Sequence, residues 1–413
     1  MVTNTPPQGP RRRLRRGDDL FAGILAADFF GAIAASLVFL SMVWWVLAQG
    51  ASDLVFGLMM LTIVVPMNIG VLLSGPAVAR VGARRLLIVS KLCALGGATL
   101  CLVFLALDLM TLPLLAVLAV VTYTSLGPSV TADLSRAPAI ARLAGRRLID
   151  FNAADGMVML VGSVLGFWMA GWLNDQGKVV LALLIAVICV AISTYWTWLS
   201  FPRDRRQKAF DGSAGAHLVD LIRRVLVRFM ANAALRNMAI CAALLLAVSD
   251  VYEDIFVPLT LREQSQDPSA LSYALIASLV ASAFVSVLAP ALQGRVRLRW
   301  VFLTCAVMGL MIMGLHFAGT GLWVMIVVIV VTTLGAGMTI TMGFTHLQES
   351  MPQSLQAQAI GLWQSFVMTV GSVALLIGGI LGTATLWFLV VMAGISAVVS
   401  LQMRQSALKA DPA

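Results

Sequence analysis

Apolar residues in this chain gather into runs of twenty or more positions, broken by short polar segments. A helix crossing the hydrocarbon core of a bilayer needs about 20 such residues. Twelve runs of this size occur, at 20–47, 54–77, 86–107, 112–132, 151–173, 179–200, 237–261, 270–292, 300–317, 322–345, 358–381 and 384–402. Each predicts a transmembrane helix. The connecting segments are short, except for about 35 residues between the sixth and seventh runs. The first run is too long for a signal-peptide core, so it is expected to stay in the mature protein.

Charge orients the pattern. With the N-terminus in the cytoplasm, 26 of the 28 Lys and Arg residues fall in cytoplasmic segments, and Lys178 and Arg262 are the exceptions. A miscounted helix would scramble that alternation, so the bias supports both the even count and a topology with both termini inside. Trp44 and Trp45, at the outer end of the first run, fit an interfacial aromatic belt. The expected organisation is a basic cytoplasmic tail (1–19), a six-helix bundle (20–201), a cytoplasmic linker (202–236), a second six-helix bundle (237–403) and a short cytoplasmic tail (404–413). Within the linker, His217 to Met230 places Leu218, Leu221, Ile222, Val225 and Phe229 on one helical face, with Arg223, Arg224 and Arg228 off it. That pattern predicts an amphipathic helix on the anionic lipid of the inner surface.

Composition narrows the function classes. Of 413 residues, 60% are hydrophobic and 11% charged, where a soluble domain carries roughly 25% charged. The net charge of +9 sits in membrane-flanking clusters, which argues against nucleic acid as a partner. The five cysteines, Cys93, Cys101, Cys189, Cys241 and Cys305, lie inside apolar runs without metal-ligand spacing and read as free thiols. No phosphate-binding Gly-x-x-x-x-Gly-Lys-Ser/Thr loop occurs, so ATP drive has no support. No catalytic residue, cofactor or metal is expected.

Residues 158–164 (Val-Met-Leu-Val-Gly-Ser-Val) recur as 367–373 (Val-Met-Thr-Val-Gly-Ser-Val), an offset of 209 that relates the fifth run to the eleventh. A parallel repeat of six-helix units produces such an offset. Between runs two and three stand Gly75, Arg80, Gly82, Arg84 and Arg85, in the order of the cytoplasmic loop signature of the major facilitator superfamily, with Ala79 where that signature has Asp. Gly162, Gly166 and Gly171 in the fifth run are similar to the superfamily's antiporter signature, with Phe167 in place of its proline. The segments 148–153 and 345–352 resemble the branch that holds drug and siderophore exporters. The resemblance implies an all-α integral membrane fold of twelve helices in two pseudo-symmetric bundles, in a bacterial inner membrane. It also implies a monomeric, proton-coupled antiporter of a small molecule, with the glycines and loop arginines serving gating and helix packing.

A charge at mid-bilayer depth costs about 2.5–3.5 kcal/mol even on lenient scales. Asp28, nine residues into the first run, is therefore a candidate for proton or cation binding; the competing reading is a structural hydrogen bond to another helix. Asp250, Glu253 and Asp254 in the seventh run share a helical face at spacing i, i+3, i+4 and should titrate as a coupled set. The alternative is that the helix breaks near Ser249 and leaves them in water. Lys91 is expected to snorkel to the inner surface. Tyr123, Tyr252, Trp363 and Gln364 are candidate cavity-lining residues. With no basic residue expected at mid-depth, a neutral or cationic amphipathic substrate fits better than an anion. The leading reading is proton-coupled efflux of such a compound. The alternatives are an importer or uncoupled facilitator, a membrane-embedded transferase, or a transporter-like sensor.

Overall fold

The protein is described by a computed structural model over residues 10–143, 148–200, 226–227, 230–264, 267–292, 297–319, 321–350 and 353–402. Every regular element among them is helical. The first half comprises α1 (Pro10–Ala48), α2 (Asp53–Val81), α3 (Ala83–Ala106), α4 (Leu112–Leu143), α5 (Leu148–Asp175) and α6 (Val179–Ser200). In the second half, α7 runs from Ala233–Val251 through a π turn, Tyr252–Phe256, into Val257–Glu263. It is followed by α8 (Pro268–Leu292), α9 (Leu298–Ala318), α10 (Leu322–Ser350) and α11 (Gln353–Leu381), then a 3₁₀ turn at Gly382–Ala384 and α12 (Thr385–Leu401). In lipid a backbone must satisfy its own polar groups, and these sequences do so as helices.

Nine of the helices contain a described stretch long and apolar enough to span a membrane. The apolar parts of α4 and α12 are shorter (Leu112–Gly127 and Thr385–Leu401), and α7 is divided by its π turn. All twelve apolar runs correspond to helices, but the helices outlast them. The basic tail from Pro10 to Asp19 is part of α1. Hydropathy marks where a helix meets lipid, whereas Arg and Leu continue a helix readily once it has formed. The amphipathic segment expected at 217–230 lies outside the described residues apart from Leu226, Val227 and Met230, which are exposed.

Packing repeats with a shift of six helices. In the first half α1 packs on α5 and α6, α2 on α4, and α3 on α4 and α6. In the second, α7 packs on α11 and α12, α8 on α10, and α9 on α10 and α12. The repeated heptapeptide therefore sits on equivalent helices. Two seams, α2 with α11 and α5 with α8, join the halves and exchange under the same pseudo-symmetry. Odd-numbered helices run from the end where α1 begins, the near side, to the opposite far side. Exposed tryptophans band both ends: Trp172, Trp323 and Trp387 on the far side, Trp198 and Trp300 on the near side. Amphipathic rings collect at membrane–water boundaries in this way.

Candidate functional site: carboxyl clusters on α1 and α7

Asp28 lies 20 residues before the end of α1 at Ala48, and Asp155 lies 20 before the end of α5 at Asp175. At 1.5 Å per residue both are roughly 30 Å from the far side, so adjacent helices present them at one level. Their carboxyl groups are close enough to interact. Two carboxyl groups so placed repel when both are ionised, so the pair is relieved when they share one proton. Lys91 on α3 acts on the Asp155 charge from nearby. Its Nζ donates to Ser193 Oγ of α6 at 3.1 Å, and Ser193 donates in turn to the Ala27 carbonyl of α1 at 2.6 Å. The ammonium also crowds Gly31, where an added Cβ would lie 3.0 Å from Nζ. Lys91 therefore points into the bundle and does not snorkel to the surface, because Ser193 and the carboxyls supply the polar contacts that water would otherwise give. It stands eight residues into α3, toward the near-side end of the span, and the expected snorkelling is corrected accordingly.

The second cluster straddles the π turn. A break near Ser249 does not occur, since α7 continues to Glu263. Glu253 Oε2 accepts from Ser278 Oγ of α8 at 2.7 Å. The Thr333 hydroxyl of α10 lies 3.2 Å from Ser278 Oγ and 3.5 Å from Ser249 Oγ, closing a hydroxyl network over three helices. Asp250 Oδ2 faces Gly371 of α11, 3.4 Å from where a Cβ would stand. Glu253 and Asp254 line a narrow crevice against Phe39 and Val43 of α1, across the interface between halves. The extra residue of a π turn re-aims side chains relative to an α-helix, a device common at functional sites.

Tyr252 does not line a cavity. It is fully buried, 3.1 Å from His316 Nδ1 of α9 by its hydroxyl and stacked on Phe256. Trp363 is likewise core, 1% exposed beside Met238 and Gly343. Large aromatics fill such helix junctions, and sequence alone does not say which face of α7 or α11 looks inward. Gln364 is half-buried on α11. Tyr123 of α4 lines a cavity of about 160 Å³ between α1, α2, α3, α4 and α6.

The glycine row on α5 has two jobs. Gly162 and Gly166 let the helix close on the α1 backbone at Phe29 and Ile33, whereas Gly171 meets Ser269 and Ser272 of α8 across the seam. In the α2–α3 link, Gly82 has φ 87°, a left-handed value that favours glycine. Arg84 donates from Nη2 to the Trp198 carbonyl near the end of α6 at 2.9 Å, and Arg85 is exposed. Gly75 and Arg80 lie on α2, but their surroundings fall outside the described residues.

On the far side, polar ties cross between the halves. Arg262 of α7 pairs with Asp53 of α2 at 2.7 Å and donates to the Ala51 carbonyl at 2.6 Å. Asp175 of α5 accepts from the Ser269 amide of α8 at 2.9 Å, capping that helix from the other half. Gly57 and Gly379 meet backbone to backbone, and deeper in the same seam Asn68 donates to Ser372 Oγ at 3.2 Å. The far side is thus held closed.

Comparison with known proteins places this architecture. The profile of the Major Facilitator Superfamily matches residues 24–375 and 255–409. No curated protein matches the sequence significantly. Among solved structures, a single-site mutant of the nucleoside transporter NupG is similar at TM-score 0.73 and 12% identity, covering 94% of this chain and 100% of its own. A D-xylose-proton symporter is similar at TM-score 0.71 and 13% identity, covering 96% and 99%. A bacterial homologue of the iron transporter ferroportin, in an inward-facing state, is similar at 0.67 and 16%, covering 96% and 99%. At these identities the likeness is one of fold.

Proposed function

The chain belongs to the major facilitator superfamily, and on that premise we propose that it is a proton-coupled secondary transporter exporting a small neutral or cationic amphipathic compound, of the drug or siderophore kind. The observation that carries the reading is the balance of charge inside the bundle. Against five carboxyl groups, Asp28, Asp155, Asp250, Glu253 and Asp254, the described parts of the apolar runs hold one base, Lys91, and it stands beside the α1 cluster. Such a surplus of carboxyl groups is relieved by protons or by a cationic group, and it disfavours an anion.

The mechanism follows from placement. The α1 cluster lies deep on the near side and the α7 acids nearer the far side, at the interface between halves. Rocking of the halves about the α2–α11 and α5–α8 seams exposes the acids to alternating sides, and protonation competes with substrate there. The near side faces the cytoplasm in this reading, on the strength of the Lys and Arg bias. The antiporter-like glycine row on α5 supports exchange over uniport.

Inside-out vesicles with an acid interior and a pH-sensitive dye test the proposal. Cationic drugs, neutral antibiotics and iron-free siderophores would be added to wild type, Asp28→Asn, and Asp250→Asn/Glu253→Gln/Asp254→Asn. Substrate-triggered proton release, weakened in the first variant and absent in the second, is expected. Silence toward every compound, alongside uptake in whole cells, would overturn export.

A further inference from the structure

The cavity beside Tyr123 is lined by the first half alone, and it shares Phe39 and Val43 of α1 with the crevice at the interface between halves. It is long for its volume. Its α1 wall runs from Gly31 to Val46, roughly 22 Å of helix, while its volume is about 160 Å³. An apolar cavity of about 150 Å³ holds benzene when it is compact; drawn out over four helical turns, the same volume is a channel one chain wide. Small residues make the bore, among them Ala34, Ala35, Ala94, Gly97 and Ala98. The lining is mainly apolar, with Thr62, Thr122 and Tyr123 along it and Lys91 and Ser193 at the near-side end.

That end sets the head group. Lys91 has three donor hydrogens, and Ser193 takes one of them. With a proton shared between Asp28 and Asp155, the ammonium balances the remaining carboxylate, so the end of the channel is close to neutral overall. A hydrogen-bond acceptor without full charge is the partner such a donor suits.

We propose that this channel is a binding site for a single unbranched apolar chain, such as an alkyl or acyl tail, carrying an amide or ester oxygen that accepts from Lys91. The inference deepens the proposed transport reading, and rests on it only in assigning the tail to a substrate. The same chemistry arises from an exported amphipath or from a membrane lipid.

The test uses purified full-length protein and a photoreactive probe, dodecanamide with a diazirine at its terminal carbon, followed by peptide mass spectrometry. Cross-links are expected on residues 42–46 of α1 and near Cys101 of α3, at the apolar end. Across a series of chain lengths, occupancy should rise by about fourfold per methylene until the channel fills and then level off, a limit that partition into detergent does not impose. Ala98→Phe should abolish the labelling, and Ala35→Leu, a milder filling, should reduce it in protein with an unchanged melting temperature. Lys91→Met should lower labelling by the amide while sparing a dodecane probe of the same length. Competition by a phospholipid extract identifies a lipid tail, and competition by exported compounds identifies a substrate tail; either supports the site. Labelling confined to lipid-facing surfaces, or unchanged by both fillings, overturns it. Proton release without labelling would leave transport standing and remove the channel, and the converse would do the reverse.

Discussion

The helices α1 and α7 are the same element of the repeat, yet they handle buried charge in opposite ways. On α1, Asp28 is offset within its own half by a shared proton with Asp155 and by Lys91. On α7, Asp250, Glu253 and Asp254 crowd one region, and Glu253 accepts from the Ser278 hydroxyl, which Thr333 adjoins in turn. Hydroxyls solvate a carboxylate without cancelling its charge. The first cluster is therefore close to self-neutral. The second needs something from outside, a proton or a cationic group, before three carboxyls can sit together within the membrane. Pseudo-symmetry of fold thus conceals a division of labour, with α1 a settled charge and α7 an unsettled one.

The most drastic way to break this contrast is Glu253→Gln/Asp254→Asn. Neutral amides keep the shape and the hydroxyl network but remove the demand for a proton. Substrate-triggered proton release in vesicles should fall to the level of vesicles lacking the protein. Asp28→Asn leaves the Asp155 and Lys91 charges in place and should weaken release without abolishing it. Equal losses in the two variants would erase the proposed asymmetry.

Stability gives a second contrast, one in which a single chemistry changes sign. Lys91→Met leaves a partly buried carboxylate without its counter-charge, a loss of ~3 kcal/mol on the scale of broken buried pairs. Adding Asp155→Asn should restore most of it, because the pair is then removed together. Asp155→Asn alone should destabilise by ~1–2 kcal/mol by leaving Lys91 less well paired, whereas Asp250→Asn should stabilise by ~1 kcal/mol by relieving like charge. Chemical unfolding of the four proteins in one detergent measures all of these. Destabilisation by Asp250→Asn would show that α7 is already neutralised by another group.

The two regions also differed in how much of them could be read from sequence. Helix number, the repeat and the α7 acids follow from apolar runs and spacing, which the bilayer imposes directly. Asp155 was legible and missed: it lies inside the fifth apolar run, and the cost that singles out Asp28 applies equally to it. Lys91 was not legible, because eight residues into α3 a lysine can reach water or a neighbour, and only the packing of α1 and α6 decides. The π turn leaves no local sign either. It accompanies the burial of Tyr252 against His316, sixty-four residues away in the chain. Arg262 did carry a signal, as one of two bases that violate the charge bias. A base left on the sparsely charged side has a local reason to be there, and here it is Asp53.

That pair supplies the smallest effect and the finest test of how α7 helps to close the far side. Arg262 and Asp53 are 28% and 31% exposed, so their ion pair is worth ~1 kcal/mol at most. Arg262→Gln should raise the population open on the far side by about fivefold, the factor that 1 kcal/mol represents. Spin labels at Leu54 and Glu263, on the far ends of α2 and α7, would report it as growth of a longer distance component. High salt should mimic the substitution in wild type and do little in the variant, because a partly exposed pair is screened. The Gly57–Gly379 contact is unaffected by either change, so the longer distance should remain a minority unless that contact is blocked as well. A distribution that does not respond to salt or to Arg262→Gln would place closure in the glycine seam alone and leave α7 with only its acids to set it apart from α1.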